Sequence, residues 1–361
     1  MKNNKIAVIG TVGLPAKYGG FETLVEQLII NLGDKYSFKV YCSSKHYANK
    51  SKKYLGAELV YLPINANGKW SILYDSLSIL HALFNSKVLL VLGVSGAFML
   101  PFVKLMTSKI IITNIDGMEW KREKWGKWAK FYLKWQEKLA VKYSHHVISD
   151  NIGIKEHVQK SYDKCSTLIA YGGSHAISST LSNASIQKYQ ISRRSYAFAV
   201  CRIEPENNIH VILEAFSKTH FKLLIVGNWD ASKYGIELKC KYKTFSNISL
   251  LDPIYDQVKL NELRSNCGIY IHGHSAGGTN PSLVEAMWLG LPIIAFNVNY
   301  NRYTTGNKAL FFNFSDDLIE ILENLPSPPE LNKMGKTLQN IAHQNYDWNN
   351  ISKAYGKLFH P

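Results

Sequence analysis

From the fifth residue onward, short continuous apolar runs alternate with longer stretches whose apolar positions recur every three to four residues. The runs at 5–11, 38–43, 59–64, 88–92, 109–115 and 146–149 predict strands buried on both faces. Between them, 21–32, 70–84, 97–106, 127–143 and 152–161 carry helical periodicity. The alternation restarts with strands at 196–201, 222–227, 248–251, 268–272 and 292–296, and with helices near 208–217, 256–265 and 281–289. Such alternation implies parallel sheets covered on both faces. The predicted fold class is therefore α/β, with two Rossmann-like, doubly wound domains facing a central cleft.

Residues 174–194 are rich in serine and poor in large apolar side chains, which marks a linker. The expected boundaries are a first domain over 1–174, a linker over 175–194 and a second domain over 195–346. Helical patterns at 331–344 and 348–358 close the chain, and a helix over 347–361 is expected to complete the first domain.

Composition adds constraints. With 361 residues, 46% hydrophobic and 19% charged, the chain suits two packed cores and not a disordered segment. The five cysteines are scattered and odd in number, without CxxC spacing, so they read as reduced thiols and neither a disulfide framework nor structural zinc is expected. The sequence enters its first strand without a secretory leader pattern. The apolar uncharged stretch 88–103 is broken by Gly93, Gly96 and Pro101 and falls short of a membrane span. The net charge is +15, and the first 173 residues hold 24 basic against 12 acidic side chains. An anionic partner is thus expected on the first half.

Two glycine-rich loops follow strands. The first, GTVGLPAKYGGFE, fits neither the Walker A spacing nor the dinucleotide fingerprint. Its pair Gly19 and Gly20, at a helix start, lets backbone N–H groups approach an anionic ligand, or serves as a plain turn. The second, HGHSAGGTNPSLVEAM, runs from the strand at 268–272 into a helix opened by Pro281. Amides of Gly278, Thr279, Asn280 and Ser282 are candidates to hold a phosphate, and Glu285 to accept from sugar hydroxyls. His274 shares this loop with His272, but no third metal ligand has useful spacing. A third candidate is Arg202, at the end of the strand at 196–201, placed to neutralise a diphosphate or to pair with Glu204 or Glu206.

Together these segments resemble the retaining glycosyltransferases of family four, which have the GT-B fold. The stretch 277–285 is similar to that family's E-x7-E segment. The opening KIAVIGTVGLPAKYGGFETLVEQL, the segment DGMEWKR at 116–122 and RIEPENNI at 202–209 resemble the branch typified by bacterial β-1,4-rhamnosyltransferases. The resemblance implies transfer of a sugar from a nucleotide-diphosphate donor with retention, without a metal or other cofactor. It assigns the donor ribose to Glu285 and the diphosphate to Arg202. Two positions depart from the wider family pattern: Gly277 stands where the first Glu contacts the donor sugar, and Asn207 stands where a Lys is usual. The branch that shares these departures implies dTDP-β-L-rhamnose as donor. Asp116 and Glu119 are candidates for binding acceptor hydroxyls, for acting as base if the reaction inverts, or simply for capping the next helix.

The segment WKREKWGKWAKFYLKWQEKLAVKY at 120–143 has eight basic residues against two acids, with aromatics interleaved. Trp120, Lys121, Arg122, Lys124, Trp125, Lys127, Trp128 and Lys130 are the expected contacts to an anionic membrane surface, unless the aromatics pack on the sheet. The membrane reading implies a polyprenyl-diphosphate-linked saccharide as acceptor and a cytoplasmic protein peripheral to the inner face of the plasma membrane. The resulting expectation is a rhamnosyltransferase of surface-polysaccharide assembly. Rival readings are a UDP-hexose-dependent transferase, a nucleotide-sugar isomerase of the same fold, and a nucleic-acid-binding protein. The last leaves the GGTNPSLVE loop without a role, so no nucleic acid is expected.

Overall fold

A computed structural model describes residues 5–16, 19–122 and 125–360. The chain divides into two compact units, one of Met1–Tyr171 with Trp348–Pro361, the other of Gly172–Asp347.

The first unit runs β1 (Lys5–Ile9), α1 (Gly20–Leu32), β2 (Ser37–Ser43), β3 (Lys53–Tyr54), β4 (Ala57–Leu62), α2 (Ser71–Leu83), β5 (Val88–Leu92), α3 (Leu100–Met106), β6 (Ile110–Asn114), α4 (Lys127–Tyr143), β7 (His146–Ser149), α5 (Ile152–Tyr162) and β8 (Thr167–Leu168). Its sheet has the order β3-β4-β2-β1-β5-β6-β7-β8. Among the described strands only the short β3 is antiparallel to its neighbour. Right-handed crossovers then set the layers. The step from β1 to β2 runs one way and puts α1 on one side; the steps from β4 to β8 run the other way and put α2 to α5 on the opposite side.

The second unit runs α6 (Asn183–Tyr189), β9 (Tyr196–Val200), α7 (Ile209–Ser217), β10 (Lys222–Val226), α8 (Lys233–Tyr242), β11 (Ile248–Leu251), α9 (Gln257–Ser265), β12 (Ile269–His272), α10 (Pro281–Trp288), β13 (Ile293–Phe296), α11 (Asn299–Thr305), β14 (Leu310–Phe312), α12 (Ser315–Glu323) and α13 (Pro328–Asn345). Its parallel sheet has the order β11-β10-β9-β12-β13-β14. In both sheets the strand order reverses beside the first strand of the unit, which in doubly wound folds is where ligands bind.

The last helix, α14 (Trp348–Leu358), belongs to the first unit. It buries Trp348, Ile351 and Tyr355 in the first core. The Tyr355 hydroxyl accepts from Asn114 Nδ2 at 2.9 Å, so the helix is tied to the end of β6 by a polar bond inside an apolar contact.

The serine-rich stretch 175–194 differs from the linker expected of it, since it lies within the second unit and contains α6. Its serines act as partners: Ser182 Oγ accepts from Ser185 N at the helix start, and Ser182 N and Oγ donate to Glu262 Oε1 at 2.8 and 2.7 Å. Burial opposes the charge of Glu262, but the Ser185 and Ser182 donors with Lys259 outweigh it and hold the carboxyl down to about 2. Small polar residues here supply caps and hydrogen bonds, not chain flexibility.

Candidate functional site

In the second unit the candidate residues gather at the carboxyl ends of β9 and β12. Gly273 follows β12, and a Cβ on it would come 2.0 Å from the Asn207 carbonyl oxygen, so only glycine lets the two loops lie this close. Asn207 is buried. Its Nδ2 donates to the Arg202 carbonyl at 2.7 Å, and its Oδ1 lies 2.8 Å from His274 Nδ1. The amide orientation makes His274 Nδ1 the donor. Asn207 thus orients the backbone of Arg202 and the ring of His274 from within the fold, where a lysine would be buried. Arg202 keeps a side chain 42% exposed, with Nε 3.7 Å from Glu204 Oε2.

The loop then turns through Gly277 at φ +107°, a conformation that L side chains rarely adopt. A Cβ there would sit 3.5 Å from His274 Nε2, so the imidazole borders the space that a side chain at this position would enter. Thr279 is buried below the loop. Asn280 caps α10, its Oδ1 accepting from Ser282 N at 3.0 Å and Ser282 Oγ at 2.8 Å. Pro281 has no N–H and the amide of Ser282 belongs to the cap, so the phosphate-directed amides of this run are at most those of Gly278, Thr279 and Asn280.

Glu285, one turn further on, is held at both oxygens. His175 Nε2 lies 3.0 Å from Oε1, and the buried Arg264 donates from Nη1 to Oε2. Burial works against its charge, but Arg264 and His175 prevail and hold the carboxyl down to about 2. A ribose hydroxyl would therefore meet a fixed carboxylate with lone pairs still able to accept. Arg264 and His175 were not identified from the sequence: one comes from α9, the other from the stretch read as a linker. His272 is buried in a neutral state, its pKa pushed down to about 3 by burial, and its Nε2 has no hydrogen-bond partner among the described residues. Among the described residues no three His, Cys, Asp or Glu side chains converge as metal ligands.

In the first unit Gly10 follows β1, and a Cβ there would come 1.9 Å from the Leu92 carbonyl oxygen. Gly19 precedes α1 at φ +88°, and Gly20 is its first residue. Glu22, quoted within the opening motif but given no role by sequence, is 4% exposed and accepts from Val12 N at 2.7 Å. Burial raises its carboxyl to about 7 against that backbone bond, and Asp116 adds to the rise. Asp116 stands at φ +49°, with Oδ1 accepting from the Tyr171 hydroxyl at 3.1 Å. Glu119 braces its loop, accepting from Trp125 Nε1 at 3.0 Å and pairing with Arg122 Nε at 2.9 Å.

The expected membrane contacts separate into two groups. Trp120 is turned inward, its Nε1 donating to the buried Glu137 at 2.9 Å, with Lys121 and Lys134 over its ring. Trp125 is held by Glu119. These two tryptophans and Arg122 therefore fix the loop and do not form an outward face, because each has an internal polar partner. Trp128 is 87% exposed, Lys127 is exposed and Lys130 half-buried on the same helix. Lys124 lies outside the described residues.

Residues 182–337 match a family described as glycosyl transferases group 1. Residues 3–174 match a domain of unknown function, DUF1972. The chain carries a group 1 glycosyltransferase domain on a GT-B fold. The glycosyltransferase is similar in structure to sucrose-phosphate synthase from Thermosynechococcus elongatus, with a TM-score of 0.81 at 15% identity, covering 99% of this chain and 98% of that one. It is similar to Anabaena HepE in complex with UDP-glucose, with a TM-score of 0.75 at 13% identity, covering 98% and 99%. The trehalose-6-phosphate synthase OtsA matches with a TM-score of 0.75 at 10% identity, covering 99% of each chain. In the glycosyltransferase domain the matched range contains Arg202, the Gly277 loop, Arg264 and Glu285, while His175 precedes it.

Proposed function

We propose that this glycosyltransferase moves L-rhamnose from dTDP-β-L-rhamnose to a polyprenyl-diphosphate-linked saccharide, with retention, in the assembly of a bacterial surface polysaccharide. The observation that carries the donor assignment is Gly277. A glycine at φ +107° offers no carboxylate to a hexose hydroxyl, and the His274 ring borders that space instead. A deoxysugar with a methyl group at C5 suits this less charged wall. Arg202 and the amides at 278–280 are the groups to stabilise the departing diphosphate, and Glu285 is the ribose acceptor. Charge stabilisation by these groups requires no metal or other cofactor. Asp116, at the end of β6, is the acid for acceptor hydroxyls; Glu119, engaged by Trp125 and Arg122, supports the loop beside it.

A UDP-hexose donor is the second reading, favoured by the UDP-glucose complex of the structurally similar HepE. Thermal melts with a panel of nucleotide sugars separate the two: dTDP-rhamnose is expected to raise the melting temperature more than UDP-glucose or UDP-galactose. The reverse order would refute the rhamnose assignment. NMR of the product from a lipid-linked acceptor reads the anomer, and an inverted product would end the retaining mechanism.

A further inference from the structure

The first unit presents one side of its sheet with an unusual outer surface. On α2 the exposed apolar side chains are Leu73, Leu77, Leu80 and, just beyond its end, Phe84, a single stripe at helical spacing. On α3 they are Phe102, Leu105 and Met106, the last two each 80% exposed. On α4 they are Trp128, Phe131 and Trp135, again one stripe. The segment that leads into α3 is bonded to both neighbouring helices: Ser71 Oγ of α2 donates to Ser95 Oγ at 3.1 Å, Tyr132 OH of α4 to the Ser95 carbonyl at 3.3 Å, and Phe98 N to Gln136 Oε1 of α4 at 2.8 Å. The stripes therefore form one face.

The charges on this face have one sign. Lys127, Lys134 and Lys138 stand exposed along α4 and Lys69 at the start of α2. The only acids on the three helices are Asp75 and Glu137, and both are buried. Burial also raises the Asp75 carboxyl well above its ordinary value, which disfavours its charge.

We infer that the outer face of α2, α3 and α4 is a docking surface for an anionic lipid bilayer, with the three helices lying in the plane of the interface. A bilayer offers what the face lacks, apolar depth for the stripes and negative headgroups for the lysines. A second copy of the chain meets the face poorly, since a two-fold contact would set these lysines against themselves with no exposed acid between. No helix among the described residues is long and apolar enough to cross a membrane, so the contact is in-plane. The helices run antiparallel to the strands, which brings Trp128 and the start of α2 to the carboxyl edge of the sheet, where Asp116 stands. A lipid-linked acceptor on that bilayer would present its sugar at this edge. That last step rests on the proposed transferase reading, whereas bilayer binding does not.

The test is sedimentation of the full chain with vesicles of phosphatidylglycerol and phosphatidylcholine, and with phosphatidylcholine alone. The unaltered protein is expected to bind the anionic vesicles at least tenfold more strongly. The pairs Leu105→Ser with Met106→Ser, and Trp128→Ser with Phe131→Ser, are each expected to lower anionic-vesicle binding about tenfold while the thermal melt is unchanged. Phe314→Ser, an exposed apolar residue of the second unit, is expected to leave binding intact. Absence of binding, equal binding to both vesicle types, or binding indifferent to both pairs would overturn the inference, as would a dimer in light scattering that both pairs dissolve. Nucleotide-sugar melts on the same variants report separately on the transferase reading.

Discussion

Each unit places a glutamate in the first turns of a helix that follows a glycine-rich loop, and the two glutamates are treated in opposite ways. Glu285 is closed between Arg264 and His175 and held ionised to about 2. Glu22, 4% exposed, meets a backbone N–H and no cation among the described residues, so burial pushes its carboxyl up to about 7. The same slot in two similar folds is thus a fixed anion in one unit and a group that changes charge near neutrality in the other. A neighbour contributed from far along the chain makes the difference.

The sharpest way to break this contrast is to remove the cation. Arg264→Met leaves Glu285 as a buried charge without its guanidinium, and a loss of about 3–5 kcal/mol is expected in urea unfolding. The double variant with Glu285→Gln should lose less than the single one; equal losses would take the ion pair out of the explanation. Next in size is the pH dependence of the first unit. The carboxyl of Glu22 is raised from 4.5 to about 7, so between those values the folded state keeps a proton that the unfolded state releases. Stability should therefore fall by on the order of 3 kcal/mol as pH rises through that window and then level off. In Glu22→Gln that slope should vanish, and an unchanged slope would assign it to other groups. The smallest effect compares two tryptophans eight positions apart. Trp120→Phe strands the Glu137 oxygen and is expected to cost about 1–3 kcal/mol, whereas Trp128→Phe should stay within about 0.5 kcal/mol. Similar thermal melts for the two variants would erase the distinction between inward and outward aromatics.

Much of the architecture was legible because it rests on local patterns. The bounds of Lys127–Tyr143, Val88–Leu92 and Trp348–Leu358 follow from periodicity and continuous apolar runs. Short edge strands such as Lys53–Tyr54 and Leu310–Phe312 gave no such signal, since two or three residues show no period. The loop at 273–282 was visible as glycines after a strand, yet the partners that fix it were not. Asn207 reaches His274 across 67 positions and Arg264 reaches Glu285 across 21, contacts that no local rule encodes. The segment at 120–130 was legible only in part for a related reason: composition counts aromatics and lysines, while Glu137 and Glu119 decide which of them face inward.

Gly277 has a consequence for how the donor loop can change over time. Some glycine codons lie a single base from a glutamate codon, so a glutamate at this position is genetically close at hand. The backbone is the obstacle, because a side chain at φ +107° carries strain on the order of 1–2 kcal/mol before it makes any contact. A glutamate arriving there would have to be preceded by a reshaped turn, although its Cβ would meet His274 Nε2 at 3.5 Å, an ordinary contact. The character of this wall is kept by the order in which changes would have to occur, a ratchet made of loop geometry and not of genetic distance.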